Sequence, residues 1–138
     1  MARPLLLDTC ACIWLSHGDP FSPASRTAID QAVRSGAGVY VSPITAWEVA
    51  TLVRKGRYRL GSAPDVWFGT LLSRPGLRLA GLTADILVAS VFLPGEPPND
   101  PADRMIAATA RLEGLTVVTR DSKLQAYAAA GHVGLVAC

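Results

Sequence analysis

The sequence predicts a single α/β domain over residues 1–138, in which a mainly parallel sheet of about five strands is covered by helices on both faces. Short apolar runs that alternate with amphipathic helical segments are typical of this fold class. The length of 138 residues suits one domain, and an apolar fraction of 50% is enough to form a buried core. A charged fraction of 17% argues against intrinsic disorder.

Five short apolar runs are predicted to be strands, because each is too short for a helix and is bounded by polar or turn-forming residues. They lie at residues 5–7, 39–41, 77–79, 115–118 and 133–136. Right-handed crossovers between parallel strands bring the carboxyl ends of neighbouring strands to one edge of the sheet. Polar residues that directly follow these runs are therefore candidates for a shared site.

The helices between these strands are predicted from apolar periodicity together with start and stop signals. Ser42 and Pro43 supply an N-cap and a first helical residue, and Thr83 is a second candidate cap. Gly36 and Gly114 mark two helix ends. The predicted helices lie at residues 11–15, 25–33, 43–54, 65–72, 84–93, 101–113 and 122–130.

The cysteines and the N-terminus indicate a cytoplasmic protein. Cys10, Cys12 and Cys138 show neither a disulfide framework nor a metal-binding spacing, which fits a reducing compartment. The apolar start of the chain resembles a signal peptide only faintly, because Asp8 interrupts it too early. No apolar run reaches the ~20 residues that a transmembrane helix needs.

Two carboxylates occur three residues apart at the start of the Ala-rich helix 101–113. Asp100 and Asp103 flank Pro101, which suits the first helical position. Residues at this spacing share a helix face, so the two acids crowd one helix N-terminus. Taken by itself, this motif is better explained by capping, with Asp100 as the N-cap and Asp103 favoured by the helix dipole, than by a site.

Three further acids lie where capping or solvation explains them less well. Asp8 and Asp121 each follow a predicted buried strand, the position at which open α/β sheets bind ligands. Glu48 lies beside the apolar stripe of its helix, where a charge needs a partner. The alternatives are a cap at Asp8 and an ion pair between Glu48 and an arginine. The helix of Asp103 precedes the strand before Asp121, so its N-terminus need not lie at the same edge.

The charge distribution suits a cation inside and a polyanion outside. The chain has 13 Lys and Arg against 11 Asp and Glu, and without the five acids named above the balance is 13 against 6, or +7. Four cations form a candidate phosphate-contacting segment, although a solvated helix end is an equal alternative. They are Arg54, Lys55, Arg57 and Arg59.

Metal-assisted phosphodiester hydrolysis is the chemistry that best suits these residues. Clustered carboxylates repel one another, and a hard divalent cation such as Mg²⁺ removes the conflict and polarises a phosphoryl oxygen. His17 and His132 are far apart, and the chain has no zinc-ligand spacing, phosphate-binding glycine loop or nucleophile elbow.

Five motifs in order resemble those of PIN-domain proteins, and most closely the VapC-type toxins of type II toxin–antitoxin pairs. They are L-L-L-D-T at 5–9, V-S-P-I-T-A-W-E-V-A at 41–50, G-R-Y-R-L at 56–60, D-P-A-D-R-M-I-A at 100–107 and G-L-T-V-V-T-R-D at 114–121. The resemblance covers nearly the whole chain and implies a parallel sheet between helices, with the acids in one groove.

This resemblance implies a ribonuclease that depends on Mg²⁺ or Mn²⁺, with a site made of four acids. Asp8, Asp103 and Asp121 would hold the metal directly or through water. Glu48 would bind the metal or orient the attacking water. Asp100 matches an additional acid of a D-P-x-D-R subgroup.

Two further residues would support this site by resemblance. Thr119 would hold a water or a carboxylate in place. Asn99 stands where that subgroup often has His, and it can still hydrogen-bond a carboxylate.

The resemblance also implies partners. They are an RNA substrate, a second copy of the chain in a homodimer, and a cognate antitoxin that reaches operator DNA itself. The basic segment 54–59 would contact either the RNA backbone or an acidic part of the antitoxin. No membrane partner is expected.

Three alternatives account for part of this pattern. A haloacid-dehalogenase phosphatase needs an acid where Cys10 stands, and a receiver domain needs a lysine after a late strand, whereas Lys123 lies within a helix. A catalytically silent PIN fold that binds RNA or protein is the stronger rival. The presence of all four acids argues against it, because a scaffold has no need of mutually repelling charges.

Overall fold

In a computed structural model that describes residues 2–138, five parallel strands form one sheet in the order β3-β2-β1-β4-β5. The strands are β1 (Leu5–Leu7), β2 (Val39–Val41), β3 (Leu77–Leu79), β4 (Thr116–Thr119) and β5 (Gly134–Ala137). In the centre of the sheet, Leu6 of β1 lies opposite Tyr40 of β2 and Val117 of β4. The predicted α/β class and parallel sheet are confirmed.

Seven helices surround the sheet in the described residues, and all agree with the prediction to within two residues at each end. They are α1 (Thr9–His17), α2 (Pro23–Ser35), α3 (Pro43–Arg54), α4 (Pro64–Leu72), α5 (Ala84–Val91), α6 (Pro101–Glu113) and α7 (Ser122–Ala129). The predicted end of α5 at Leu93 was wrong, because Pro94 disfavours helical backbone at the residue before it.

The last two strands each begin one residue later than predicted. Leu115 donates its backbone N–H to the carbonyl of Ala110 at 2.9 Å, so it still belongs to the turn that ends α6. Pairing in β4 therefore starts at Thr116, which lies opposite Gly134 of β5.

Alternate residues of β1 support two hydrophobic layers, as the period of a strand requires. Leu5 and Leu7 pack with Val49 and Trp67 on the face that α1, α2 and α4 cover. Leu6 points to the opposite face and packs with Ile106 of α6. Both faces of the sheet are thus buried.

The helix directions explain why the acids meet. α1, α3 and α7 begin directly after β1, β2 and β4, so their N-termini lie at the carboxyl edge of the sheet. Gly114 and Leu115 connect the end of α6 to the start of β4, so α6 runs antiparallel to that strand. Its 13 residues span about 20 Å, which returns its N-terminus to the same edge. The position of Asp103, left open by the sequence, follows from this direction.

None of the helices within residues 2–138 combines the length and the apolar character needed to cross a bilayer.

Candidate metal centre

Asp8 lies at the middle of the carboxyl edge and is only 4% exposed. It is the N-cap of α1: Oδ1 accepts the backbone N–H of Ala11 at 2.8 Å. Oδ2 accepts the hydroxyl hydrogen of Thr119 on β4. Burial raises the pKa of Asp8, these two hydrogen bonds lower it, and the charge of Asp121 raises it further. Asp8 is therefore a buried carboxylate with a donor on each oxygen.

Asp121 is attached to the same threonine. Its backbone N–H donates to the Thr119 hydroxyl oxygen at 2.9 Å, and its Oδ2 caps α7 by accepting the Leu124 N–H at 2.8 Å. The expectation that capping explains Asp8 and Asp121 poorly was wrong, because both side chains are caps. Each side chain caps a helix because that helix begins directly after the strand, and the cap holds the carboxylate at the sheet edge.

Glu48 is held by a threonine rather than by the arginine of the alternative interpretation. The Thr9 hydroxyl donates to Oε1 of Glu48 and lies 3.2 Å from the hydroxyl of Thr45, one turn earlier on α3. Burial raises the pKa of Glu48, the Thr9 hydrogen bond lowers it, and the charges of Asp100 and Asp8 raise it. Glu48 is thus a half-buried carboxylate that faces the other acids.

Asp100 and Asp103 complete the cluster from α6. Asp100 is exposed and caps the helix, since its Oδ2 accepts the Asp103 N–H at 3.0 Å. Burial and then the charges of its acidic neighbours raise the pKa of Asp103 to about 7. Those neighbours are Asp121, Asp100, Glu48 and Asp8, in decreasing order of effect. The fold therefore brings all five predicted acids into one electrostatic cluster.

The carboxylates fit a hard cation that keeps several water ligands better than one coordinated entirely by protein side chains. Within residues 2–138, no three His, Cys, Asp or Glu side chains have the close spacing of a preformed metal cage. Mg²⁺ commonly binds through one or two carboxylates and keeps several waters. Carboxylates that raise the pKa of their neighbours, as those around Asp103 do, also gain most from an added positive charge.

Two threonines beside Glu48 were missed by sequence reasoning: Thr9 hydrogen-bonds Glu48, and Thr45 contacts the hydroxyl of Thr9. Thr45 is fully buried and Thr9 is 8% exposed. Thr9 follows Asp8 directly, and Thr45 lies three residues before Glu48 on the same helix face. Small hydroxyl residues beside two suspected acids were the available signal.

The remaining predicted residues lie outside the carboxylate cluster. Asn99 is exposed in the bend that leads to α6. The basic segment lies at and after the C-terminal end of α3, the end farther from the acidic edge. Its four cations are exposed: Arg54, Lys55, Arg57 and Arg59. Along the α3 axis, Arg54 lies about 9 Å from Glu48. Tyr58, between these cations, stacks on His17 of α1 at 5.6 Å, which anchors the segment to the domain.

Comparisons with known proteins agree with this architecture. Ribonuclease VapC22 of Mycobacterium tuberculosis is 32% identical over 123 residues, which cover 89% of this chain and 91% of that protein. A chain of the VapBC2 complex of Rickettsia felis, solved with a promoter DNA fragment, superposes with a TM-score of 0.69 at 17% identity and 98% coverage of both chains. A chain of DNA-bound VapBC from Salmonella typhimurium gives 0.65 at 22% identity, covering 99% of this chain and 98% of that one.

The two solved structures share the fold, whereas the family assignment comes from the sequence. A model of the PIN domain matches residues 5–130, a range that contains every strand but the last and all five clustered acids. Together with the 32% identity to Ribonuclease VapC22, this match shows that the chain belongs to the PIN-domain family.

Proposed function

We propose that this protein is a metal-dependent ribonuclease that hydrolyses RNA phosphodiester bonds as the toxin of a type II toxin–antitoxin pair. The observation that carries the proposal is the meeting of Asp8, Glu48, Asp103 and Asp121 at one sheet edge, where burial and then the charges of the neighbouring acids raise the pKa of Asp103 to about 7. The 32% identity to a protein named Ribonuclease VapC22 supports the same activity.

In this proposal Asp8, Asp103 and Asp121 hold Mg²⁺ or Mn²⁺, directly or through water, and Asp100 at the rim adds to the negative potential. When bound, the cation neutralises charge that develops on the phosphoryl oxygens. Thr119 fixes Asp8, so that the carboxylate keeps its orientation as substrate enters.

Glu48 is proposed to bind the cation or orient the attacking water. Its Oε1 accepts the Thr9 hydroxyl, which restrains the side chain and leaves the second oxygen for this role. The water oxygen forms a bond to phosphorus and loses a proton to solvent, while the bond to the leaving ribose oxygen breaks and that oxygen takes up a proton from solvent.

The proposed partners are an antitoxin and a second copy of the chain. The structural neighbours are chains of DNA-bound VapBC complexes, which motivates the antitoxin as a partner that would also provide the contact with DNA. For the homodimer, the support is an exposed apolar surface on α5, where Val88, Val91 and Phe92 are 60%, 65% and 78% exposed. A cytoplasmic location is proposed because the three cysteines are free thiols.

The test is cleavage of a panel of structured RNAs with Mg²⁺, Mn²⁺ or EDTA, using purified protein and Asp8→Asn prepared identically. Asp65→Asn, which neutralises an exposed acid on α4, is the matched control. We expect cation-dependent cleavage that Asp8→Asn loses and Asp65→Asn keeps. No cleavage, combined with no cation binding by calorimetry, would instead support a PIN fold that only binds RNA or protein.

A further inference from the structure

We propose that Trp47 stacks on an unpaired base of the RNA and that the outer face of α3 guides a single strand from the basic segment 54–59 to Glu48. The inference rests on the proposed ribonuclease function and adds to it a residue that contacts the RNA outside the acidic cluster. Non-specific binding of single strands combines aromatic side chains that stack on bases with cations that follow the backbone.

Trp47 is unusually exposed for its size and type. It is 63% exposed, whereas Trp67 is 8% exposed and Trp14 is covered by the guanidinium of Arg120 at 3.4 Å from the ring centroid. Tryptophan contributes a large apolar area when it is buried, so an exposed indole forgoes that stabilisation. Trp47 is also the one large apolar side chain of α3 that is mostly exposed.

The position of Trp47 on the helix places it on the flank of α3 that carries Glu48. Val49 faces the layer of α1 and α4, whereas Ile44 packs toward α6 with Leu6 and Ile106. On a helix of 3.6 residues per turn, Ile44 lies between Glu48 and Trp47, so both share the flank toward α6. Long helical side chains lean toward the helix N-terminus, which for α3 is the acidic edge.

The charges along the same face favour nucleic acid over a protein partner. Thr51 and Arg54 follow Trp47 at four and seven residues, so they share its face over two turns. Lys55, Arg57 and Arg59 continue the exposed cations beyond the helix. An exposed indole that leads into a row of cations suits a single strand, because its bases can stack on the ring while its phosphates follow the cations.

The experiment measures binding of a short labelled single-stranded RNA by fluorescence anisotropy, in EDTA to prevent cleavage. We expect Trp47→Leu to weaken binding about tenfold, and Trp47→Phe, which keeps an aromatic face, to weaken it about threefold or less. Binding should quench the Trp47 emission of the wild-type protein and should quench Trp47→Phe much less. Val66→Ala, which trims an exposed apolar side chain on α4, is the control and should bind like wild type.

Three further measurements separate stacking from a structural role. Trp47→Leu should bind a blunt RNA duplex as wild type does, since the bases of a duplex are already stacked, and should unfold at the same urea concentration. In cleavage assays with Mg²⁺, its KM should rise while kcat stays near the wild-type value.

The failures are distinguishable. If wild type cleaves RNA and Trp47→Leu binds the single strand equally well, the stacking proposal is overturned while the ribonuclease proposal stands, and a protein-binding role for the indole is favoured. If wild type neither binds nor cleaves any RNA with cation present, both proposals are overturned.

Discussion

The hydroxyl of Thr119 on β4 donates a hydrogen bond to Oδ2 of Asp8, which follows β1, 111 residues earlier in the chain. The hydroxyl oxygen of Thr119 in turn accepts the backbone N–H of Asp121 at 2.9 Å. One fully buried hydroxyl therefore connects two acids from neighbouring strands.

Replacing Thr119 with valine keeps the shape of the side chain and removes both hydrogen bonds. We expect the free energy of unfolding to fall by about 1–3 kcal/mol, because the buried Asp8 loses a donor. Cleavage should fall about 10–100-fold, as for the loss of a group that orients a metal ligand. Thr119→Ser keeps the hydroxyl and should retain most of the wild-type stability and most of the cleavage activity. Equal activity of the valine and serine variants would contradict the orienting role.

Neutralising Asp8 should separate stability from activity. The amide oxygen of Asp8→Asn can still accept a hydrogen bond. The variant lacks the negative charge of Asp8, which contributes to the raised pKa of Asp103 in the wild-type protein. In EDTA at pH 8 we expect the variant to be at least as stable as wild type in urea, because one buried charge is removed. Cleavage should fall by about 100-fold or more. A strong loss of stability in EDTA would show that the negative charge itself holds the site together.

The metal-free protein should lose stability as the pH rises toward neutrality. The pKa of Asp103 is raised from 3.8 to about 7, so between these values the folded state holds a proton that the unfolded chain releases. The contribution of this group to the free energy of unfolding is therefore complete below about pH 4 and declines as the pH rises through 7. Urea titrations in EDTA across this range measure the decline, and Asp103→Asn should flatten it.

Divalent cation gives an internal check on that pH dependence. Mg²⁺ should stabilise the wild-type protein more at pH 8 than at pH 5, because the protonated Asp103 binds it poorly. An equal effect of Mg²⁺ at both pH values would place the cation away from Asp103.

Gly95 lies in the loop that connects α5 to α6, and its φ of +70° is in the left-handed region. An added Cβ would collide with the His132 ring, which stacks on Tyr127 at 4.8 Å and so cannot move without breaking that contact. We expect Gly95→Ala to lower the free energy of unfolding by about 1–2 kcal/mol or more. Gly61→Ala has open space and an ordinary φ, and should change little.

The loop prediction also has a functional side, because the segment carries Asp100 to the acidic edge. If the loop is displaced, cleavage by Gly95→Ala should fall even at temperatures where the protein is fully folded. Urea unfolding followed by circular dichroism, together with cleavage rates at low temperature, separates the two effects. If Gly95→Ala is as stable as the wild-type protein, the His132 ring moves away from the added Cβ without loss of stability, which would contradict the prediction.

The sequence alone sufficed for the α/β class and for most strands and helices, because the patterns that define them are local. Apolar runs such as Leu5–Leu7 and N-caps such as Ser42 act over a few residues. The exceptions had local causes that a periodicity misses. Pro94 ended α5 early, and the backbone bond from Leu115 to Ala110 delayed β4 by one residue.

The five acids could also be singled out from the sequence, but their grouping was a property of the tertiary fold. Each could have been an isolated helix cap, and the side chains of Asp8, Asp100 and Asp121 are indeed caps. Only the order of the strands and the antiparallel direction of α6 bring Asp103 within electrostatic reach of Asp8 and Asp121.

The groups that hold the acids were likewise decided by contacts across long separations in the chain. Thr9 meets Glu48 and Thr119 meets Asp8 only because β1 lies between β2 and β4. Hydrogen bonds between side chains depend on distances of about 3 Å, which no local pattern specifies. The sequence thus determined which residues are candidates for the chemistry, while the packing of the sheet and α6 determined how those residues are held together.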